Sequence, residues 1–323
     1  KQRKYRCAIA HRQHSIDGGL EMVRLERLSG RPILRPLPEH GWERSAVFNC
    51  AAIGKDGVFH LIYRACDLPS HDRFGDYVSR MGHAVSLDGV RFVQHDRPVF
   101  EGEGEQERRG VEDPRIVQLE GDTTFYMMYT AYGARFDGDY RISMASSEDL
   151  VNWSRHGVVL DEPNKDASLF PAEVNGRYAM FHRRWPSIWM AFSDDLATWV
   201  DHTVVMTTVQ DSWESERIGI AGPPFRTPDG WALIYHGVDP CNTYRLGWAL
   251  LDPVDPTKVI YRQSEPILEP ELEWERVGWV PNVVFSCGQV VAGGVVYVYY
   301  GAADTSIGVA AADLADFAPN GAE

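Results

Sequence analysis

The stretch Gly110-Val111-Glu112-Asp113-Pro114-Arg115-Ile116 is an acidic, turn-forming cluster that runs straight into an apolar segment. A carboxylate at the mouth of a strand can be held rigidly and still face a pocket, which is what a general acid requires. An isolated Asp-Pro is more often only an Asx turn. The reading of Asp113 as a proton donor therefore depends on what other segments bring beside it. Arg64, Arg183 and His236 each close an apolar run, and Asn49, Lys165, Arg217, Asp67 and Asp304 stand near comparable boundaries. Carboxylates and guanidinium groups bind hydroxyl pairs, whereas Lys, Arg and His together bind anions.

The elements that must position these residues are repeated. FHLIYR at 59–64, FYMMYT at 125–130, YAMFHR at 178–183, WALIYH at 231–236 and VYVYYG at 296–301 are copies of one aromatic and β-branched run, each preceded by a glycine or acidic turn. Each copy has a partner run before it and another after it. Three of the later runs lead into a related tail, 147–153, 193–199 and more weakly 86–92, that reads as a tight turn and then an aromatic packing between sheets. The unit is three or four antiparallel strands recurring at roughly 60 residues, and such units must pack on one another to bury both faces. Radial closure of five units predicts an all-β fold, a five-bladed β-propeller. A two-sheet sandwich does not account for five near-equal periods. The prediction is a single domain over residues 1–323, with 1–31 as an N-terminal extension in which 11–28 holds a short helix or an extra strand.

Closure also brings equivalent positions to one channel. The first strands contribute Asn49, Asp113, Lys165 with Asp166, Arg217 and Asn282 near their starts. The second strands end in Arg64, Thr130, Arg183, His236 and Gly301, and three residues on come Asp67, Gly133, Pro186, Asp239 and Asp304. Unlike residues at like positions indicate a common scaffold with a differentiated site. Asp113, Asp67 and Asp304 suit a sugar. Lys165, Arg183, Arg217 and His236 make a basic corner in an acidic protein, and a basic corner beside one candidate acid points to an anion that takes part in the reaction. The plainer alternative pairs Arg64 and Arg183 with acids such as Asp67 and Asp166.

Bulk composition narrows the classes. The 323 residues are 44% hydrophobic and 24% charged, with a net charge of −14. That balance repels a phosphate backbone, so nucleic acid is excluded as a partner. No apolar run approaches the ~20 residues of a membrane span. Lys1-Gln2-Arg3-Lys4 leads into no apolar segment, so a secretory leader is not expected. Cys7, Cys50, Cys66, Cys241 and Cys287 are odd in number and show no metal-site spacing, which fits free thiols in a reducing, cytoplasmic compartment. Cys50, Cys66 and Cys287 read as small core residues. No metal or organic cofactor is expected.

These residues resemble glycoside hydrolase family 130, the β-mannoside phosphorylases and related β-mannosidases, from about Pro32 to Asp313. The resemblance is carried by FNCAA at 48–52, YRA at 63–65, GVEDPRI at 110–116, LFP at 169–171, His182-Arg183, GPP at 222–224, YHG at 235–237, VPNVVF at 280–285 and YGAAD at 300–304. It implies a five-bladed propeller and an inverting reaction with one protein carboxylate. Asp113 matches the general acid, whose proton reaches the glycosidic oxygen through a hydroxyl of the bound mannose. Inorganic phosphate attacks the anomeric carbon from the opposite face and gives α-D-mannose 1-phosphate. Lys165, Arg183 and His236 match phosphate-binding positions, with Arg217 a weaker fourth. Asn49, Arg64 and Asp304 match residues around the transferred mannose, and Asp67 joins them by proximity. Lys165 stands where some members carry arginine, and Cys50 where some carry Ser or Pro.

The expected substrates are thus a β-linked manno-oligosaccharide and phosphate, and homo-oligomers are common in the family. Two rival readings use the same residues. A β-mannosidase would need a base, and Glu214 and Glu216 are the candidates, although a solvated loop is the simpler reading of both. A non-catalytic glycan-binding propeller would need no acid. The linkage depends on an acceptor subsite built from loops such as 132–140 and the Trp185 region; likeness to the oligomannan-degrading members favours β-1,2 over β-1,4.

Overall fold

The computed structural model describes residues 16–17, 20–68 and 77–318. Among the described residues a two-stranded ribbon, Ile16–Asp17 with Leu20–Glu21, precedes five larger antiparallel sheets that succeed one another along the chain. Blade 1 comprises Ala46–Lys55, Val58–Cys66, Ser79–Ser86 and Val93–Gln94; blade 2 comprises Val111–Gln118, Phe125–Tyr132, Tyr140–Ser147 and Ser154–Leu160. Blade 3 comprises Lys165–Leu169, Tyr178–Arg184, Ser187–Ser193 and Val200–Met206. Blade 4 comprises Arg217–Ile220, Gly230–Val238, Tyr244–Leu251 and Val259–Arg262, with Phe225–Thr227 continuing its first strand. Blade 5 is Val284–Ala292, Val295–Ala302 and Ser306–Asp313, completed by Glu26–Arg27 from the start of the chain. The segment expected to hold a helix or an extra strand thus supplies an outer strand, and the last blade is closed by the first part of the chain. Among the described residues no helix is long and apolar enough to cross a membrane.

Five apolar cores make the ring, one between each pair of neighbours. Ile62 and Met81 meet Ile116 and Met127 between blades 1 and 2. Met128 and Met144 meet Leu169 and Met180 between 2 and 3, and Phe181 and Met190 meet Ile218 and Leu233 between 3 and 4. Ile234 and Trp248 meet Val298 and Tyr300 between 4 and 5, and Leu61 and Tyr63 meet Tyr299 and Val309 between 5 and 1. Only small clusters, such as Phe48 with Cys66 in blade 1 and Phe285 with Cys287 in blade 5, lie within one blade, so each sheet is stabilised mainly against its neighbours. The first strand of blade 2 is buried over its first seven residues, whereas its outer strand alternates between more and less exposed positions. That gradient from the axis outwards is why the inner strands read as continuous apolar runs.

The tails behave as the sequence predicts. Ser147 Oγ accepts the Leu150 N–H at 2.9 Å, and Asp149 Oδ1 accepts the N–H groups of Val151 and Asn152. Ser86 with Asp88 makes the same turn, as does Ser193 with Asp195. Trp153, Trp199 and Phe92 then pack into the cores between blades.

Candidate active site

The sheet register brings unlike residues to one level around the axis. Arg64 pairs with Phe48, Thr130 with Glu112, Arg183 with Lys165, His236 with Gly219 and Gly301 with Phe285. Immediately after those partners the first strands of blades 1, 2 and 3 bulge, at Asn49, Asp113 and Asp166. All three have a left-handed backbone, with φ of 46°, 52° and 58°. Asn and Asp tolerate that conformation better than other side-chain residues, and a bulge re-aims the side chain it carries. Blades 4 and 5 differ from the sequence alignment. Gly219, not Arg217, lies opposite His236, and Asn282 lies before its strand begins. A Cβ at Gly219 would come within 2.5 Å of His236 and 2.7 Å of Asp166, and one at Gly301 within 2.4 Å of Asn49, so the two glycines leave room for these side chains.

On one side of the channel the polar groups are linked pairwise. Asn49 Nδ2 donates to Asp113 Oδ1 at 2.9 Å, and Arg64 reaches the same oxygen at 3.3 Å. Arg64 also donates to Glu112 Oε1 at 2.7 Å and to Ser79 Oγ, and its guanidinium lies 4.7 Å from the Phe48 ring. Lys165 Nζ donates to Glu112 Oε2 at 3.0 Å and lies against the Tyr132 and Tyr140 rings. Burial alone would raise the Asp113 carboxyl, but Arg64, Lys165, the Asn49 bond and Arg115 together hold it below the ordinary aspartate range. Asp304 goes the other way. Burial, reinforced by the negative charges of Asp113 and Glu112, pushes it up to about 7 against the pull of Arg64 and Lys165. Lys165 is held above its ordinary value because Glu112 and Asp113 outweigh the effect of burial.

On the other side cations outnumber carboxylates. Asp166 meets Arg183 at 2.7 Å and Arg115 at 3.1 Å, with His236 Nε2 at 3.6 Å. Arg115 is buried and spends its remaining donors on the carbonyls of Asp113, Ile220 and Ala221. Arg217 has no carboxylate partner among the described residues: it donates to Asn242 and Tyr244, and its guanidinium lies between the rings of Tyr244 and the exposed Trp185. His236 is fully buried, and neither of its ring nitrogens has a hydrogen-bond partner among the described residues. Burial pushes its pKa down to about 3 against the pull of Asp166, and Arg183, Arg115 and Arg217 add to the lowering. The ring is therefore neutral at ordinary pH, with one N–H to donate.

Of the predicted residues, Asn49, Arg64, Asp113 and Lys165 form one connected cluster, and Asp304 is within electrostatic reach of it. Arg183 and His236 gather on Asp166, and Arg217 acts on His236 from nearby. Asp67 pairs through one oxygen with Arg80 at 3.1 Å, not with Arg64, which pairs with Glu112 and Asp113, and its Oδ1 has no hydrogen-bond partner among the described residues. Lys165 contacts the acid cluster rather than Asp166. Glu214, read as a solvated loop residue, is buried and paired with Arg262, whereas Glu216 is exposed. Glu112 and Arg115 went unassigned in the sequence. Their signal was three charges in a run of seven otherwise apolar inner-strand residues, each of which needs a buried partner.

The sequence model of the family described as β-1,4-mannooligosaccharide phosphorylase matches residues 31–318. The chain is 59% identical to a 1,2-β-oligomannan phosphorylase of Thermoanaerobacter sp. (strain X514), over 91% of this chain and 99% of that one. It is 55% identical to a β-1,2-mannobiose phosphorylase of the same organism, over 90% and 97%. The solved structure of the Listeria innocua β-1,2-mannobiose phosphorylase with β-1,2-mannobiose superposes with a TM-score of 0.83 at 27% identity, over 91% of this chain and 98% of that one.

Proposed function

The chain belongs to glycoside hydrolase family 130, and from that premise we propose that it is a phosphorylase of β-1,2-linked manno-oligosaccharides that releases α-D-mannose 1-phosphate. Two relatives at 59% and 55% identity, both named for β-1,2 substrates, support that linkage over β-1,4. The observation that carries the choice of phosphorolysis is the imbalance on blades 3 and 4. Arg183, with Arg115 from blade 2, shares the single carboxylate of Asp166, and Arg217 has none among the described residues, beside a neutral His236 whose ring nitrogens have no hydrogen-bond partner among the described residues. A buried surplus of cations with an orphaned N–H fits an anion the size of phosphate. It does not fit a general base, which a hydrolase needs at that place. Glu214, the buried candidate for one, already pairs with Arg262.

In this reading Asn49, Arg64 and Asp304 hold the transferred mannose, and Arg183 and His236 hold phosphate with Arg217. Lys165 lies between the two groups. Asp113 supplies the proton. It passes through a mannose hydroxyl to the glycosidic oxygen as the C1–O bond breaks, and a phosphate oxygen bonds to C1 from the opposite face. The shortened oligosaccharide leaves with the proton. In the free protein Asp304 is the carboxyl that carries a proton near neutrality. Phosphate draws on the charge of Lys165 and Arg183, and so raises the affinity of Asp113 for a proton once both substrates are bound. Asp67, oriented by Arg80 with its Oδ1 unpartnered among the described residues, is a further candidate for a sugar hydroxyl.

The test is incubation with β-1,2- and β-1,4-mannobiose, each with and without phosphate. Mannose 1-phosphate that forms only with phosphate, and faster from the β-1,2 substrate, is the expected result. Free mannose formed equally well without phosphate overturns it.

A further inference from the structure

Glu112 sits one residue before the proton donor, is 1% exposed, and takes no direct part in either the proton transfer or the phosphate attack. Its two oxygens go to two different cations: Oε1 takes Arg64 at 2.7 Å and Oε2 takes Lys165 at 3.0 Å. These are the two charges that act most strongly on Asp113. Arg64 already reaches both acids, with one nitrogen on Glu112 and another 3.3 Å from Asp113. Among the described residues Lys165 has no other carboxylate within ion-pair distance. A residue that merely stabilised the strand would need one partner. This one spans two cations that arrive from blades 1 and 3.

We propose that Glu112 is a positioning residue for the reaction: by dividing its carboxylate between Arg64 and Lys165 it offsets the charge of both cations beside Asp113 and so lets Asp113 carry a proton when substrate is bound. The groups around Asp113 make the balance explicit. Asn49 and Arg64 face it from blade 1, Glu112 and Arg115 from its own strand, Lys165 from blade 3, and Asp304 with the buried Cys287 thiol from blade 5. With Glu112 neutral, Arg64 and Lys165 would have only Asp113 and Asp304 to satisfy them. Both would then favour the ionised form of the acid, which cannot donate.

This inference rests on Asp113 being the acid, and its test separates the two claims. Wild type, E112Q and the double variant E112Q/K165M are assayed across pH at saturating phosphate, with thermal melting to establish that each is folded. In E112Q the alkaline limb of kcat is expected to move about one pH unit lower. That is about a tenfold loss near neutrality, with KM for the mannoside nearly unchanged. E112Q/K165M removes one charge of each sign, so its limb is expected to return toward wild type. A folded E112Q whose limb does not move, or a double variant whose losses simply multiply, overturns the proposal. If E112Q does not fold, E112D decides: it keeps the charge but cannot span both cations, and an unshifted limb counts against the proposal. If wild type itself shows no phosphate-dependent turnover, the functional reading fails instead. Titration of the Asp113 carboxyl by NMR in wild type and E112Q then tests Glu112 alone, with a lower midpoint expected in E112Q and an unchanged one contradicting the role.

Discussion

The two sides of the channel solve opposite electrostatic problems with the same scaffold. On one side Arg64 of blade 1 and Lys165 of blade 3 meet Glu112 and Asp113, with Asp304 of blade 5 as a third carboxyl that is half-protonated near pH 7. That side is close to neutral by itself. On the other side Arg115 of blade 2 and Arg183 of blade 3 share Asp166, Arg217 of blade 4 has no carboxylate partner among the described residues, and the histidine beside them is kept uncharged. That side carries a surplus of positive charge. The difference lies in the side chains gathered around each bulge, because the backbone at Asn49, Asp113 and Asp166 is nearly the same. A shared strand geometry therefore does not dictate a shared role: in the function proposed above, the near-neutral side transfers a proton and the cationic side receives a nucleophile.

Breaking each side should give different kinetic signatures. The largest effect is expected from D113N, which removes the donor but keeps the Asn49 and Arg64 contacts: kcat for phosphorolysis falls about 10²–10⁴-fold, while mannoside binding, read by calorimetry, persists. R183M comes next. It leaves Asp166 with Arg115 alone, and the expected cost is about 100-fold in KM for phosphate, the scale of a broken buried charge pair, with KM for the mannoside little changed. H236Q should be milder, because the imidazole is neutral and glutamine also donates an N–H. A loss below about tenfold in phosphate affinity is expected, the scale of one hydrogen bond; a much larger loss would mean that the ring is charged in the complex.

The smallest effect concerns stability. Asp304 titrates higher in the folded protein than the ordinary value of about 4. Between that value and about 7 the folded state keeps a proton that the unfolded chain has lost, so stability falls as pH rises through this window. D304N should remove that fall. Its Tm difference between pH 5 and pH 8 should shrink by roughly 4 °C, because about two pH units of that window at about 1.4 kcal/mol each are lost and a chain of this size shifts by roughly 1.5 °C per kcal/mol.

Much of this was legible because the repeat made it so. The runs ending in Arg64, Thr130, Arg183, His236 and Gly301 align in the register as they do in the sequence. The starts of the first strands aligned less well, since bulges in blades 1 to 3 and none in the first strand of blade 4 shift the count, and Arg217 was placed where Gly219 lies. Ion-pair partners were the least legible. Asp67 is near Arg64 in sequence yet pairs with Arg80, and Glu112 is three residues from Arg115 yet pairs with Lys165. Such choices are made by whichever blade supplies the nearest buried charge, which no local pattern records. The closure of blade 5 by Glu26–Arg27 was hidden for a different reason: a two-residue strand has no periodicity to read.

The central claim is that the cationic side delivers phosphate to the anomeric carbon while the neutral side delivers the proton. It is tested most directly by turnover of β-1,2-mannobiose with ¹⁸O-labelled phosphate, with NMR and mass analysis of the product. The account predicts α-mannose 1-phosphate with label in the bridging oxygen at C1. Mannose whose C1 oxygen comes from water, or a β-configured product, would contradict it.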